Sequence, residues 1–397
     1  MFKIKRVAEI LLVATRLGMI SFGGPVAHIG YFRDEYVNRR GWLDEETYLD
    51  IVSLCQVLPG PTSSQVGIVI GMYRSGFLGG FAAWIGFTLP SACLLILFAF
   101  GVNNSISLDQ SGWLHGLKIM SVAVVAFAVW SMANSICTDR IRMTITLFSA
   151  IIILSIPIQG IQFYVIAASA LTGWLFLEGT VVSTESQTNT RFGRNTALFS
   201  LIIFVSLIIL LPIARHVTGN PFVEVADSFY RTGALVFGGG HVVLPLLQSE
   251  VVETGWVTQD AFLAGYGAAQ GIPGPLFTFA GYLGATMTHF RYPLVSGLVC
   301  LFAIYLPSFL LIVGTLPFWA KLRSIIWFRR PLGGVNAAVV GLLLAALYDP
   351  IWTNTIKSPS DFAISIGILC MLAIWRPPIW VVVLVSAFAG QAISMFA

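Results

Sequence analysis

Charged residues are scarce in this chain. Asp, Glu, Lys and Arg make up 10% of its 397 residues and hydrophobic residues make up 57%, whereas a soluble globular domain carries about 25% charged residues. The mean hydropathy is +0.85. This composition excludes an ordinary soluble domain and is typical of a polytopic membrane protein. The net charge of +4 is small for this length, so it bears on membrane orientation and indicates no nucleic-acid partner.

The sequence also lacks the short motifs of common catalytic sites. It contains no Walker A sequence, no dinucleotide fingerprint, no nucleophile elbow and no metal-spaced set of cysteine and histidine. Its cysteines lie in or beside apolar segments without disulfide spacing, and we interpret them as packing residues: Cys55, Cys93, Cys137, Cys300 and Cys370. We therefore expect neither an enzyme nor a bound metal or cofactor.

Long apolar runs dominate the chain. Runs of roughly 17 to 25 residues, enough to cross a bilayer as helices, lie at 77–101, 113–136, 196–214, 293–317, 331–348 and 377–396. Shorter or interrupted runs lie at 7–30, 48–72, 142–157, 160–178, 222–246, 261–287 and 360–375. These runs are continuous and do not alternate with period two, so they predict helices and not strands. The expected fold is an all-α membrane protein with about 10 to 13 membrane segments.

One set of motifs occurs twice in the chain. The first copy is Arg16, Phe22-Gly23-Gly24, Gly41-Trp42, Gln56 and Pro59-Gly60-Pro61. The second is Arg231, Phe237-Gly238-Gly239, Gly255-Trp256, Gln270 and Pro273-Gly274-Pro275, and Leu89-Pro90-Ser91 likewise returns as Leu306-Pro307-Ser308. We predict a first repeat at 1–178, a polar linker with an unpaired helix at 179–220, and a second repeat at 221–397. In an apolar protein such duplication is typical of a secondary transporter whose substrate site lies where the repeats meet.

Loop charge predicts that the second repeat is inverted. Lys3, Lys5 and Arg6 place the N-terminus in the cytoplasm, and the arginines before Trp42 indicate the same side for that loop. The matching loop of the second repeat has no Lys or Arg, but carries Glu250, Glu253 and Asp260. We therefore expect it on the other side. Segments 7–30 and 48–72 either re-enter or cross fully, with the same parity, and the loop charges favour re-entrant segments.

Each Pro-Gly-Pro must interrupt a helix, because proline lacks an N–H donor and disfavours helical geometry in the residue before it. Thr62, Ser63 and Ser64 follow Pro59-Gly60-Pro61 and would form the first turn of a restarted helix, where free N–H groups favour an anion. Pro273-Gly274-Pro275 is followed instead by Leu276 and Phe277. We predict an anion site between the two breaks, with unequal halves.

The glycine pairs Gly23-Gly24 and Gly238-Gly239 predict a second pair of breaks. Glycines let backbone amides approach a ligand, or they let two helices touch. Gln56 and Gln270 each precede a Pro-Gly-Pro by three residues, where an amide either binds substrate or caps the broken backbone.

Cations at membrane depth are further candidates for substrate binding. A guanidinium there is costly unless paired or hydrated, and its planar fork suits an oxyanion. Arg16 and Arg231 each precede a glycine break, and Lys118 lies in an apolar segment. The alternative for each is structural pairing or a side chain that extends to the membrane surface. His28 and His241 lie just past the glycine breaks, and each is either a proton-coupling group or a core histidine.

These motifs resemble the chromate ion transporter family in its long form, which has two homologous halves in one chain. The resemblance rests on Phe22-Gly23-Gly24-Pro25, Gly41-Trp42 and Gln56-Val57-Leu58-Pro59-Gly60-Pro61, with their second copies near 230–275. It covers nearly the whole chain apart from the linker and the span at 196–214. The second copy departs from the pattern at Gly240, Leu276 and Phe277, so the first repeat is expected to supply the polar ligands.

The resemblance implies export of chromate across the bacterial inner membrane, driven by the proton-motive force, with sulfate as a competitor of the same shape and charge. A sulfate or other oxyanion transporter, a passive anion channel, and a non-transport protein such as a flippase stay open as alternatives. The expected partners are a chromate- or sulfate-like oxyanion and the lipid bilayer. The sequence leaves open whether the protein forms a homodimer.

Overall fold

The computed structural model describes residues 2–22, 24–104, 112–156, 158, 161–177, 193–237, 242–287, 290–319 and 326–396. Within these ranges all regular structure is helical and no strand is present. The α-helices are α1 Phe2–Ile20, α2 Gly24–Phe32, α3 Glu45–Val57, α4 Thr62–Ser75, α5 Phe77–Asn104, α6 Gly112–Ile136, α7 Arg140–Ser155, α8 Ile161–Phe176, α9 Arg194–Thr218, α10 Pro221–Leu235, α11 Val243–Val251, α12 Gln259–Gly271, α13 Phe279–Thr286, α14 Pro293–Thr315, α15 Ile326–Ala346, α16 Pro359–Cys370 and α17 Ile379–Phe396.

Short turns of other helical types extend several of these helices. They are the π-helical turns Arg33–Arg39, Leu347–Trp352 and Met371–Trp375, the 3-10 turns Leu276–Thr278 and Leu316–Phe318, and one α-helical turn at Thr353–Thr355. The predicted all-α membrane fold is confirmed.

Five helical stretches in the described ranges are long and apolar enough to cross a membrane. They are Phe77–Gly101, Gly112–Ile136, Arg194–Thr218, Pro293–Phe318 and Arg330–Thr355. Each contains or closely matches a predicted run. The sixth predicted run, 377–396, forms α17, Ile379–Phe396, which begins two residues later than predicted and ends at the predicted residue. Pro378 disfavours helical geometry in the residue before it, so the helix begins after this pair of prolines.

Helices α1–α8 and α10–α17 follow the same order along the chain, and α9 connects the two series. Equivalent helices begin in equivalent ways. The Asp44 side chain accepts from Thr47 N at the start of α3, and the Thr258 side chain accepts from Ala261 N at the start of α12. Such caps bind N–H groups that have no intrahelical partner. α9 lies at the outside of the bundle, since only 11% of its apolar stretch is buried, against 67% for α14.

Glycines set the closest helix contacts within each series. A Cβ placed on Gly18 of α1 would lie 2.6 Å from the Phe87 carbonyl oxygen of α5. A Cβ placed on Gly233 of α10 would likewise overlap the Ile304 carbonyl oxygen of α14. Both contacts need a residue without a side chain, because a Cβ would force the backbones apart.

The last helices of each series pack against the other series. A Cβ on Gly116 of α6 would overlap the Ser386 carbonyl of α17, and one on Gly334 of α15 would overlap the Ser169 carbonyl of α8. Thr146 Oγ1 of α7 also donates to the Ala337 carbonyl of α15, at 2.8 Å. The two halves are therefore interlocked through exchanged helices.

Candidate functional site

The two Pro-Gly-Pro breaks lie against the end of the first helix of the opposite series. Gly60 N donates to the Val236 carbonyl, which follows α10, at 2.7 Å. Gly274 N donates to the Ser21 carbonyl, which follows α1, at 2.9 Å. The two bonds join equivalent positions of the two series, so four broken helix ends meet at one place. We call this place the crossing.

Serines from the duplicated Leu-Pro-Ser motif complete the crossing. Gly60 and Gly274 have φ of +119° and +111°, a region that side chains rarely enter. A Cβ on Gly60 would overlap Ser308 Oγ, and one on Gly274 would lie 2.7 Å from Ser91 Oγ. Only glycine fits at either position.

A buried histidine links the crossing to α4. His28 Nε2 lies 3.1 Å from the Ser21 carbonyl and Nδ1 lies 3.1 Å from Ser63 Oγ. Because a carbonyl oxygen only accepts, Nε2 carries the hydrogen, and in a neutral ring Nδ1 accepts from Ser63. His28 is 1% exposed. It therefore holds α4 against the end of α1.

The start of α4 has no side-chain cap. The first backbone hydrogen bond of this helix is donated by Gln65 N to the Pro61 carbonyl, at 2.9 Å. Within the described residues, the preceding amides of Thr62, Ser63 and Ser64 have no hydrogen-bond partner. Free amides at a helix N-terminus favour an anion.

Three buried hydroxyls face each other beside this helix start. Ser64 and Thr88 lie next to the Tyr305 hydroxyl, and all three residues are at most 2% exposed. The three hydroxyls are within reach of one another, but none of their oxygens has a hydrogen bond of good geometry to the described part of the chain. Thr88 and Tyr305 were not predicted as site residues. The available signal was position, because each directly precedes one copy of Leu-Pro-Ser.

The matching turn of the second series is closed by its own backbone. Thr278 N and Thr278 Oγ1 both donate to the Pro275 carbonyl, at 3.0 and 2.7 Å. Phe277 is buried and Leu276 is partly buried. The polar helix start of the first series therefore has no counterpart in this turn.

The remaining predicted residues near the breaks are spread around them. Gln56 is exposed on α3. Gln65, in the first turn of α4, binds the broken backbone by donating to the Pro59 carbonyl at 2.6 Å. Gln270 Nε2 is buried without a partner in the described ranges. Gly24 begins α2 with φ +77°, while Gly23, Gly238, Gly239 and His241 lie outside the described residues.

Arg16 belongs to a cluster of four arginines around two carboxylates. Glu35 lies 3.8 Å from Arg16, 2.8 Å from Arg39 and 2.6 Å from Arg40. Glu9 lies near Arg40 and Arg74, and we call this set the four-arginine cluster. Burial alone raises the pKa of Glu35, but hydrogen bonds from Arg40 and Arg39 hold it below its ordinary value. Glu35 therefore stays ionised and the cluster carries excess positive charge.

Arg231 belongs to a second cluster in which carboxylates outnumber arginines. Its Nη2 lies 3.0 Å from Asp227 and 3.3 Å from Glu250. Arg215 binds Glu224 at 2.6 Å and lies 3.7 Å from Asp227. These groups, except Glu224, line a cavity of about 560 Å³ together with Gln162, His216, Ser249 and Thr254. We call this set the acidic cluster.

The pairing of each arginine with a glutamate is itself duplicated. Glu35 and Glu250 stand 19 residues after Arg16 and Arg231, and Glu9 and Glu224 stand 7 residues before them. Neither pair was predicted, although this common spacing is visible in the sequence. The buried carboxylate Asp227, 1% exposed, has no acidic counterpart in the first series, where Leu12 stands in its place.

Lys118 pairs with a residue of the other series. Its Nζ donates to Asp260 in the first turn of α12. The Lys118 side chain is 12% exposed and that of Asp260 is 43% exposed. This ion pair joins α6 to α12.

Comparison with known proteins connects this geometry to a family. The family model described as Chromate transporter matches residues 8–174 and 223–391. The chain belongs to the chromate transporter family. The two matched ranges contain the two Pro-Gly-Pro breaks, both glycine pairs of the sequence and both arginine–glutamate pairs.

Several known proteins resemble the chain over most of its length. A probable chromate transport protein of Synechococcus elongatus is 24% identical over 396 residues, which cover 98% of this chain and 95% of that protein. A chromate transport protein of Pseudomonas aeruginosa is 25% identical over 394 residues, covering 95% of this chain and 89% of that protein. An uncharacterized transporter of Methanocaldococcus jannaschii is 24% identical over 345 residues, covering 85% and 82%.

The two arginines should differ in their effect on folding. We expect Arg231→Gln to destabilise the protein by roughly 3 kcal/mol, because it leaves the buried Asp227 with only the more distant Arg215. Arg16→Gln should change stability little, since the Arg16 side chain is 53% exposed and Glu35 keeps two arginines. Fluorescence-detected size exclusion and thermal unfolding in detergent would measure both.

A double variant provides the control. Arg231→Gln with Asp227→Asn should recover part of the lost stability, because the buried Asp227 side chain is then neutral, whereas Glu250 still lacks its arginine. Equal stability of Arg231→Gln and Arg16→Gln would contradict this assignment of the Arg231 ion pair. A double variant no more stable than Arg231→Gln would contradict it as well.

Proposed function

We propose that this protein is a secondary transporter that exports chromate across the bacterial inner membrane, with coupling to the proton-motive force. Membership of the chromate transporter family supports chromate as the transported ion. The observation that carries the proposal is the crossing, where broken helices of both series meet through reciprocal hydrogen bonds beside an uncapped helix start. Paired broken helices at a repeat interface are where secondary transporters bind ions.

The burial of the crossing supports a carrier with alternating access over a passive channel. Ser63, Ser64, Thr88 and Tyr305 are at most 3% exposed, so an ion could reach them only after the surrounding helices move. We propose that the repeats at 1–178 and 221–397 are inverted and rock against each other about the crossing. The equivalent order of their helices and their reciprocal contacts support this motion.

The charge clusters support a direction of transport. We place the N-terminus and the four-arginine cluster on the cytoplasmic side, as loop charge favours. Excess positive charge there would concentrate dianions before they enter. The acidic cluster would then lie at the outer face, where its carboxylates compete with the departing oxyanion for Arg215 and Arg231. Sulfate has the same shape and charge as chromate, so transport of sulfate is the alternative.

The proposal is tested by uptake of labelled chromate into everted membrane vesicles energised by respiration. We expect uptake that a protonophore abolishes and excess unlabelled sulfate reduces. Uptake that follows the membrane potential but is indifferent to a pH gradient would indicate a channel. If vesicles with folded and inserted protein take up no more chromate than empty vesicles, the proposal that this protein exports chromate is wrong.

A further inference from the structure

Each cation predicted to bind substrate already has a carboxylate partner. Arg16 pairs with Glu35, Arg231 with Asp227 and Glu250, and Lys118 with Asp260. Within the described residues, none of the three forms an ion pair or hydrogen bond with a residue of the crossing. A dianion at the crossing must therefore find other partners.

The crossing offers uncharged donors in one place. The amides at the start of α4 lack partners in the described part of the chain, and the hydroxyls of Ser64, Thr88 and Tyr305 meet only one another, without good hydrogen-bond geometry. Buried polar groups are normally hydrogen-bonded, and those that are not need an explanation. Three such hydroxyls from three helices, beside one uncapped helix start, point to a missing ligand.

The Tyr305 hydroxyl is held in place by rings from both series. Its ring packs 5.6 Å from Trp84 of α5 and 5.9 Å from Phe277, between ring centroids. Phe277 directly follows Leu276 after the second Pro-Gly-Pro. Phe277, which replaces Ser63 in the second repeat, therefore positions a donor and does not bind the ion itself.

We propose that Ser64, Thr88, Tyr305 and the free amides of α4 form an uncharged site that binds a tetrahedral dianion through hydrogen bonds alone. The inference rests on the proposed function and names its substrate site. A chromate- or sulfate-like ion only accepts hydrogen bonds, and hydroxyl and amide groups supply donors without a competing positive charge. Donors that point at an anion from fixed helices, together with the positive helix end, offset its lost hydration.

An uncharged site also suits release of the ion. A buried arginine would hold the dianion in both conformations of a carrier, whereas hydrogen bonds from α4, α5 and α14 weaken together when these helices separate. Since the donors come from both repeats, movement of one repeat against the other would dismantle the site.

Equilibrium binding of labelled chromate to purified protein tests the site, with labelled sulfate as a second probe. We expect Tyr305→Phe and Ser64→Ala each to raise Kd about tenfold or more, because each removes one hydrogen bond to a charged group. Arg16→Gln and Lys118→Gln should change Kd less than about threefold. Tyr230→Phe is the matched control, since that hydroxyl donates to the Phe204 carbonyl at 3.1 Å and should not alter Kd.

Thermal unfolding separates a binding role from a structural one. Tyr305→Phe removes a buried hydroxyl that meets Ser64 and Thr88 without good hydrogen-bond geometry, so the ligand-free protein should melt at about the wild-type temperature. The increase in melting temperature caused by chromate should shrink in the same variant. Tyr230→Phe should show the reverse pattern, with a lower melting temperature and a normal response to chromate.

Each outcome decides between the two proposals. If wild-type protein binds neither probe, the proposed function fails and this site fails with it. If wild-type protein binds chromate and Tyr305→Phe binds it equally well, the uncharged site alone is overturned. Loss of binding in Arg16→Gln or Lys118→Gln at normal stability would also overturn it, because a cation would then be required.

Discussion

Gly60→Ala should abolish chromate transport. Gly60 has φ +119°, where a residue with a side chain costs roughly 1–3 kcal/mol, and the new methyl group would overlap Ser308 Oγ and lie 2.7 Å from Gln65 Nε2. The break would have to move, and with it the hydrogen bond from Gly60 N to the Val236 carbonyl. We expect chromate uptake into everted vesicles to fall more than about tenfold, a loss of roughly 1.4 kcal/mol or more.

Two further substitutions test whether this loss arises at the crossing. Gly30→Ala adds the same methyl group in α2, where nothing lies within 4 Å, and should transport like wild type. Gly274→Ala places a methyl group 2.7 Å from Ser91 Oγ at φ +111° and should resemble Gly60→Ala. Normal transport by Gly60→Ala would show that the crossing can rearrange without loss of function.

Gly334→Ala should deplete folded protein. The added Cβ would overlap the Ser169 carbonyl and lie close to Gly173 of α8. These are backbone atoms, so relief requires moving a whole helix of the other series, at a cost of about 3 kcal/mol or more. Size exclusion in mild detergent should show aggregated or degraded protein. Gly116→Ala, which meets the Ser386 carbonyl of α17, should behave in the same way.

Gly367→Ala is the control for helix propensity. Gly367 lies within α16 with nothing within 4 Å of its added Cβ. Alanine normally stabilises a helix interior by about 0.5–1 kcal/mol relative to glycine, so this variant should be at least as stable as wild type. A Gly334→Ala protein as stable as Gly367→Ala would mean that α8 and α15 are not in close contact.

Much of the fold follows from local patterns. Continuous apolar runs predict helices because only a helix satisfies its own backbone inside a bilayer. The run at 377–396 was predicted to begin two residues before α17, because hydropathy tolerates Pro377-Pro378 whereas proline disfavours helical geometry in the residue before it. The exchange of α8 and α17 between the two series was not predicted, since small residues such as Gly116 and Gly334 show that a helix can pack closely but not against which partner.

The candidate site was predictable only in part. Pro59-Gly60-Pro61 predicts a broken helix in any surroundings, because each proline removes a hydrogen-bond donor. Thr88 and Tyr305 lie inside the long helices α5 and α14, and the one sequence signal was their position directly before a copy of Leu-Pro-Ser. The roles predicted for Arg16, Arg231 and Lys118 remain predictions, and the structure adds the carboxylate partner of each. Glu35 is 19 residues from Arg16 in the sequence. It becomes a neighbour of Arg16 only because the chain between them reverses direction.

By itself the sequence determined that this protein is a helical membrane protein, that its motifs occur twice, where its helices break, and which family it resembles. Those properties depend on composition and on neighbours a few residues apart. The tertiary structure decided which carboxylates neutralise which cations, and that the breaks of one series bind the helix ends of the other. It also brought Ser64 and Thr88 to Tyr305, more than half the chain away. Such contacts are set by the packing of whole helices, which no local pattern specifies.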